Sequence, residues 1–125
     1  MAAGERLICA AEALREGGPG VRFRRRSPAG FEEGAFVIRY NGRVHAFVNR
    51  CPHAGTELDW NPGEFFDEGA VYLICSTHGA LFEPMNGHCV AGPCRGASLQ
   101  PLEIGERDGQ VFLLNDPEND KLLSP

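Results

Sequence analysis

Apolar and polar residues alternate with a period of two in several short runs, the spacing that sets one face of a strand on a core. "VRFRRRS" (21–27) is such a run and predicts a strand whose arginines form a solvated face, with a docking patch as the other reading. "ERLICAAEAL" (5–14) opens on a short apolar alternation and predicts a strand passing into a turn of helix. The clearest signal is "AFVIRY" and "RVHAFV" on either side of Asn41-Gly42. That dipeptide accepts positive φ at both positions, so it predicts a two-residue hairpin turn. "AVYLIC" is a further β run and leads straight into Cys75. "HGALFEPMNGHCV" predicts short strands around Asn86-Gly87, and "SLQPLEIGERDGQVFLLND" two more around Asp108-Gly109. The total is roughly eight to ten short strands with little helix. The predicted fold class is all-β. The tail from residue 119 lacks the pattern and is expected to fray.

Composition narrows this picture. With 125 residues and 42% hydrophobic positions the chain suits one domain with a modest core. Sixteen Gly and nine Pro favour tight turns between strands over a helix bundle. A net charge of -5 argues against nucleic acid as a partner. No apolar run reaches the length of a membrane span, and no secretory leader is visible, so a cytoplasmic location is expected. Five cysteines in a reducing compartment point to metal ligands before disulfides.

Residues 49–94 are richer in Gly, Pro, Cys and His than their flanks. "NRCPHAGTELD" holds Cys51 and His53 as C-x-H, and "ICSTHGALF" holds Cys75 and His78 as C-x-x-H. Each pair follows a predicted strand and is followed by Gly. Two such loops, packed opposite one another, supply four soft or borderline donors suited to zinc or an iron–sulfur cluster. Structural zinc sites more often use paired-Cys knuckles with a separate His pair. One Cys and one His per loop suits a binuclear centre that each loop must reach across.

These residues, with "GHCVAGPCRGASLQPLEI" downstream, resemble the Rieske [2Fe–2S] ferredoxins and Rieske domains over roughly residues 30–115. The resemblance implies one [2Fe–2S] cluster, with Cys51 and Cys75 on one iron and His53 and His78 on the other. It implies three stacked antiparallel sheets. It also implies a base of about 1–48 and 95–118 carrying a cluster-binding subdomain of about 49–94. Two thiolates instead of four leave such a cluster less negative, so its potential lies at roughly -150 to +300 mV, against about -400 mV for plant-type centres. High-potential relatives carry a disulfide where this chain has Thr56 and Thr77, and hydroxyls where it has Ala80 and Phe82. Fewer hydrogen bonds to the sulfurs imply a low-potential centre.

The function expected is a soluble one-electron carrier, not an enzyme, taking electrons from a reductase to an oxygenase or another redox enzyme. Its partners are redox proteins, with neither nucleic acid nor membrane among them. A catalytic oxygenase needs a second domain and a further iron site, for which only His45 and His88 remain. A small subunit or regulatory module of a larger complex, and a zinc-binding interaction module, are the alternatives. Cys89 and Cys94 are expected to pack near the second loop, with a disulfide or a metal site as other readings. Cys9 is expected to be a core thiol. "ELDWNPGEFFDEGA" (57–70) reads either as a loop whose aromatics cover the cluster subdomain or as a docking surface with an acidic rim.

Overall fold

The computed structural model describes residues 4–52, 55–77, 79–93 and 96–116. Among the described residues ten strands follow one another: β1 (Arg6–Ala10), β2 (Val21–Arg26), β3 (Glu32–Tyr40), β4 (Arg43–Val48), β5 (Leu73–Ile74), β6 (Leu81–Phe82), β7 (Cys89–Ala91), β8 (Pro101–Leu102), β9 (Ile104–Arg107) and β10 (Gln110–Leu113). One 3-10 turn, Ala11–Ala13, is the helical element among the described residues. No helix there is long and apolar enough to cross a membrane. The strands form three antiparallel sheets, ordered β1-β10-β9, β2-β3-β4-β8 and β5-β6-β7.

The middle sheet is covered on both faces, and the sequence shows why. Ala35–Ile38 is a continuous apolar stretch, the signature of a strand with no wet face. Phe36, Ile38 and Phe47 enter a core shared with the third sheet, while Val37 and Ala46 enter a core shared with the first. The hairpin turn forms as expected, with Asn41 at φ 55° and Gly42 at φ 77°. Its two N–H groups both donate to the Glu16 carboxylate, at 2.8 Å for Gly42. Those two bonds hold the Glu16 carboxyl below its usual range. Asp108-Gly109 makes the second turn of this kind, at φ 52° and 72°.

Two expectations need correction. The arginine run is not one solvated face, because Arg25 is buried. It sits opposite Glu33 in the β2–β3 register and pairs with its carboxylate at 3.3 Å, while Arg50 reaches the other oxygen at 3.1 Å. A buried guanidinium is tolerated when a carboxylate goes in with it. The strand read in "AVYLIC" is reduced to Leu73–Ile74. Ala70 takes φ 54°, and the Asp67 carboxylate accepts the N–H groups of Val71 (3.0 Å) and Tyr72 (3.3 Å), a local turn that outcompetes ladder bonds there. The tail expected from residue 119 lies outside the described residues.

Candidate metal centre

The two Cys/His loops are built on one frame. Cys51 follows β4 by three residues and Cys75 directly follows β5. In the first loop the Cys51 N–H donates to Thr56 O (2.7 Å) and the Gly55 N–H donates to Cys51 O (2.8 Å). In the second the Cys75 N–H donates to Ala80 O (2.9 Å) and the Gly79 N–H donates to Cys75 O (2.8 Å). The glycine four residues after each cysteine takes φ 74° in the first and 71° in the second, a conformation that costs a residue with a Cβ about 1–2 kcal/mol. Both loops therefore close in the same way, with the His one position later in the second.

Cys51 and Cys75 are fully buried in the same apolar core, with Leu58, Phe65, Ala80 and Phe82. Their loop crowns, Pro52, Gly55 and Thr56 on one side and Ser76, Thr77 and Gly79 on the other, are exposed. The loops are joined where the Ser76 N–H donates to Leu58 O at 3.0 Å. The structure thus brings two of the four expected ligands into one core beneath a shared surface. His53 and His78 lie outside the described residues. Two thiols in a dry, shared core under solvent-facing loops fit a cluster held partly by thiolates.

Sequence reading missed the polar residues that support the first loop. The Asn49 side chain donates to Asp59 Oδ1 at 2.9 Å and accepts the Leu58 N–H at 2.9 Å, and both side chains are buried. Asp59 Oδ2 accepts the Gly63 N–H at 2.9 Å and pairs with Arg22 Nε at 3.3 Å. The only trace in the sequence is an Asn two residues before Cys51; nothing local names its partner ten residues on.

The loop between the two ligand pairs is split in its behaviour. Phe65 is fully buried and stacks on Phe36 with ring centroids 3.9 Å apart. Such a stack is worth about 0.5–1.5 kcal/mol beyond the area it buries. Phe66 is half-buried and stacks on Tyr40. Trp60, by contrast, is 76% exposed.

The remaining candidates sit apart from the two Cys loops or beside them. Cys89 is buried in the same core as Cys51 and Cys75, and its Sγ donates to Ala91 O at 3.4 Å; Cys94 lies outside the described residues. Gly92, past the end of β7 at φ 96°, lies against Ala80 of the second loop. Cys9 packs beside the other core, and burial pushes its thiol up. His45 lies in β4, with Nε2 buried and without a hydrogen-bond partner among the described residues. Burial lowers its pKa from the usual 6.5, partly opposed by a hydrogen bond to the Tyr40 backbone. His88 is exposed at its turn.

The family model described as "Rieske [2Fe-2S] domain" matches residues 6–113. No curated protein matches the sequence. Among solved structures, the chain is similar to the ferredoxin of carbazole 1,9a-dioxygenase from Nocardioides aromaticivorans IC177, with a TM-score of 0.67 and 19% identity over 90% of this chain and 98% of that one. A ferredoxin of Sphingomonas yanoikuyae B1 is similar with a TM-score of 0.68 and 20% identity, over 88% of this chain and 97% of that one. The terminal oxygenase of carbazole 1,9a-dioxygenase from N. aromaticivorans IC177 is also similar, with a TM-score of 0.67 and 19% identity, over 90% of this chain but 30% of that one. At these identities the likeness speaks for the fold.

Proposed function

Because the chain belongs to the Rieske [2Fe-2S] domain family, we propose that it is a one-electron carrier of the ferredoxin type, passing electrons from a reductase to an oxygenase or another redox enzyme. The observation that carries this reading is the pair of equally closed loops, each delivering one buried cysteine to a common core. Cys51 and Cys75 would hold one iron through thiolate sulfur, and His53 and His78 the other through imidazole nitrogen. A bound cluster supplies reversible one-electron chemistry. The chain's own residues position it, exclude water from the cysteine sulfurs and leave the loop crowns at the surface, where a partner can approach.

Within this reading residues 49–94 form the cluster-binding subdomain, and residues 1–48 and 95–118 the base. The third sheet is drawn wholly from the first of these stretches. The match along nearly the whole length of ferredoxin chains, against under a third of an oxygenase chain, supports a carrier over a catalytic component. A cytoplasmic location agrees with cysteines kept reduced for cluster binding. The absence of hydroxyls at Ala80 and Phe82 supports a low potential.

The test is composition and colour. Purified without oxygen, the chain should be red-brown and carry two irons and two acid-labile sulfides. His78→Ala should abolish the Rieske-type spectrum, whereas Cys89→Ser with Cys94→Ser should keep the full iron content. A colourless protein with stoichiometric zinc would end this reading.

A further inference from the structure

A carboxylate taken out of water costs several kcal/mol unless it is paired and hydrogen-bonded. The Asp59 side chain has no solvent exposure and gathers three donors: Asn49 Nδ2, the Gly63 N–H and Arg22 Nε. Asn49 is fixed in turn. Its own N–H donates to Gly34 O in β3 (2.9 Å), and its side chain spans from the Leu58 N–H to Asp59. Leu58 is the next residue along from Glu57 and passes the linkage to the second loop through Ser76. One relay therefore runs from Arg22 on β2, through Asp59 and Asn49, to the backbone on either side of Cys51 and, through Leu58, to Ser76 beside Cys75.

Packing alone does not call for a charge at this point. A neutral side chain could brace the loop, yet the chain holds an anion one residue from Leu58, which shares its core with both cysteines. A fixed negative charge in a poorly screened site raises the energy of any further negative charge nearby. We propose that Asn49 and Asp59 are positioning residues for the first ligand loop, and that the Asp59 carboxylate biases the bound cluster toward its oxidised form, with Arg22 offsetting part of that bias. The inference rests on the chain holding a cluster. It predicts opposite effects from removing the two charges, which a bracing role alone does not.

The test is the midpoint potential of the loaded protein by voltammetry, with iron content measured on the same samples. Asp59→Asn should raise the midpoint, Arg22→Gln should lower it, and the double variant should return toward wild type. A shift equivalent to a tenfold change in the reduced-to-oxidised ratio, ~59 mV for one electron, is expected for Asp59→Asn. The shift for Arg22→Gln should be smaller, because Arg22 is partly exposed and screened. Glu57→Gln, which removes an exposed partner of Arg22, should leave the midpoint within a small fraction of that shift. Asn49→Ala should speed loss of iron, and Asn49→Gln should not restore wild-type retention, since the longer side chain cannot make both bonds in place. If Asp59→Asn fails to fold, Arg22→Gln decides alone: a lowered midpoint supports the proposal and an unchanged one overturns it. Full iron content with unmoved midpoints in both variants overturns the charge-setting role while the carrier reading stands. A wild-type chain that binds no iron overturns both.

Discussion

Gly92 lies so close to Ala80 that a Cβ on Gly92 would stand 2.8 Å from the Ala80 Cα. The segment after β7 therefore rests directly on the backbone of the Cys75 loop. The obstructing atom is main chain, which cannot swing aside, and Gly92 also holds φ 96°. Gly79 has a similar backbone requirement at φ 71° but open space around its missing Cβ. Gly79→Ala should thus cost only the conformational term, about 1–2 kcal/mol. Gly92→Ala should cost more and should displace the second loop. Thermal loss of the visible absorption band would show the order, with Gly92→Ala the more labile.

Phe65 anchors the segment between the loops. It is fully buried against Phe36, and its ring lies 2.8 Å from where a Gly20 Cβ would sit. Phe65→Ala should destabilise the fold by about 3–5 kcal/mol, the cost of a large buried aromatic with the cavity it leaves. Trp60→Ala, at an exposed position, should fall within about 0.5 kcal/mol of wild type. Urea unfolding of both variants checks the contrast.

Ala80 is fully buried at the end of the second loop, and its carbonyl accepts the Cys75 N–H. Ala80→Ser adds a hydroxyl with little change in bulk. A charge-assisted hydrogen bond is worth roughly 1.5–3 kcal/mol before relaxation offsets it. At about 1.4 kcal/mol per ~59 mV, one new bond to a cluster sulfur should raise the midpoint by on the order of 100 mV at most. The wild-type midpoint is expected in the lower part of the Rieske range, roughly -150 mV to 0. Voltammetry giving wild type near +300 mV would contradict this.

His45 should make stability depend on pH. Burial lowers its folded pKa below the usual 6.5, so between the two values the unfolded chain binds more protons than the folded one. Stability is then fully present above about pH 6.5 and is lost as pH falls through the folded pKa. His45→Gln should remove that component, giving a melting temperature that falls less than wild type between pH 7 and pH 5. Parallel melting curves over this range would contradict it.

The sequence by itself determined the elements that depend on near neighbours. Asn41-Gly42 and Asp108-Gly109 specify their turns because positive φ is a property of those residues alone. The stretch Ala35–Ile38 announces a strand buried on both faces because it has no polar side. The cysteines with Gly55 and Gly79 four residues behind them mark two tight loops because a glycine at positive φ lets each loop close on its own cysteine. Only tertiary structure decided which polar groups go inside. Arg25 looks like exposed Arg22 and Arg24 until Glu33 arrives opposite it across the sheet. Phe65 and Trp60 stand in the same acidic, aromatic stretch, yet one stacks in the core and the other faces water. Glu16 becomes a turn cap only when the chain returns 25 residues later, and Asp59 is an acceptable buried charge only where Arg22, Gly63 and Asn49 converge on it. Burying a charge is favourable or ruinous depending on partners that are remote in sequence, so no local pattern encodes it.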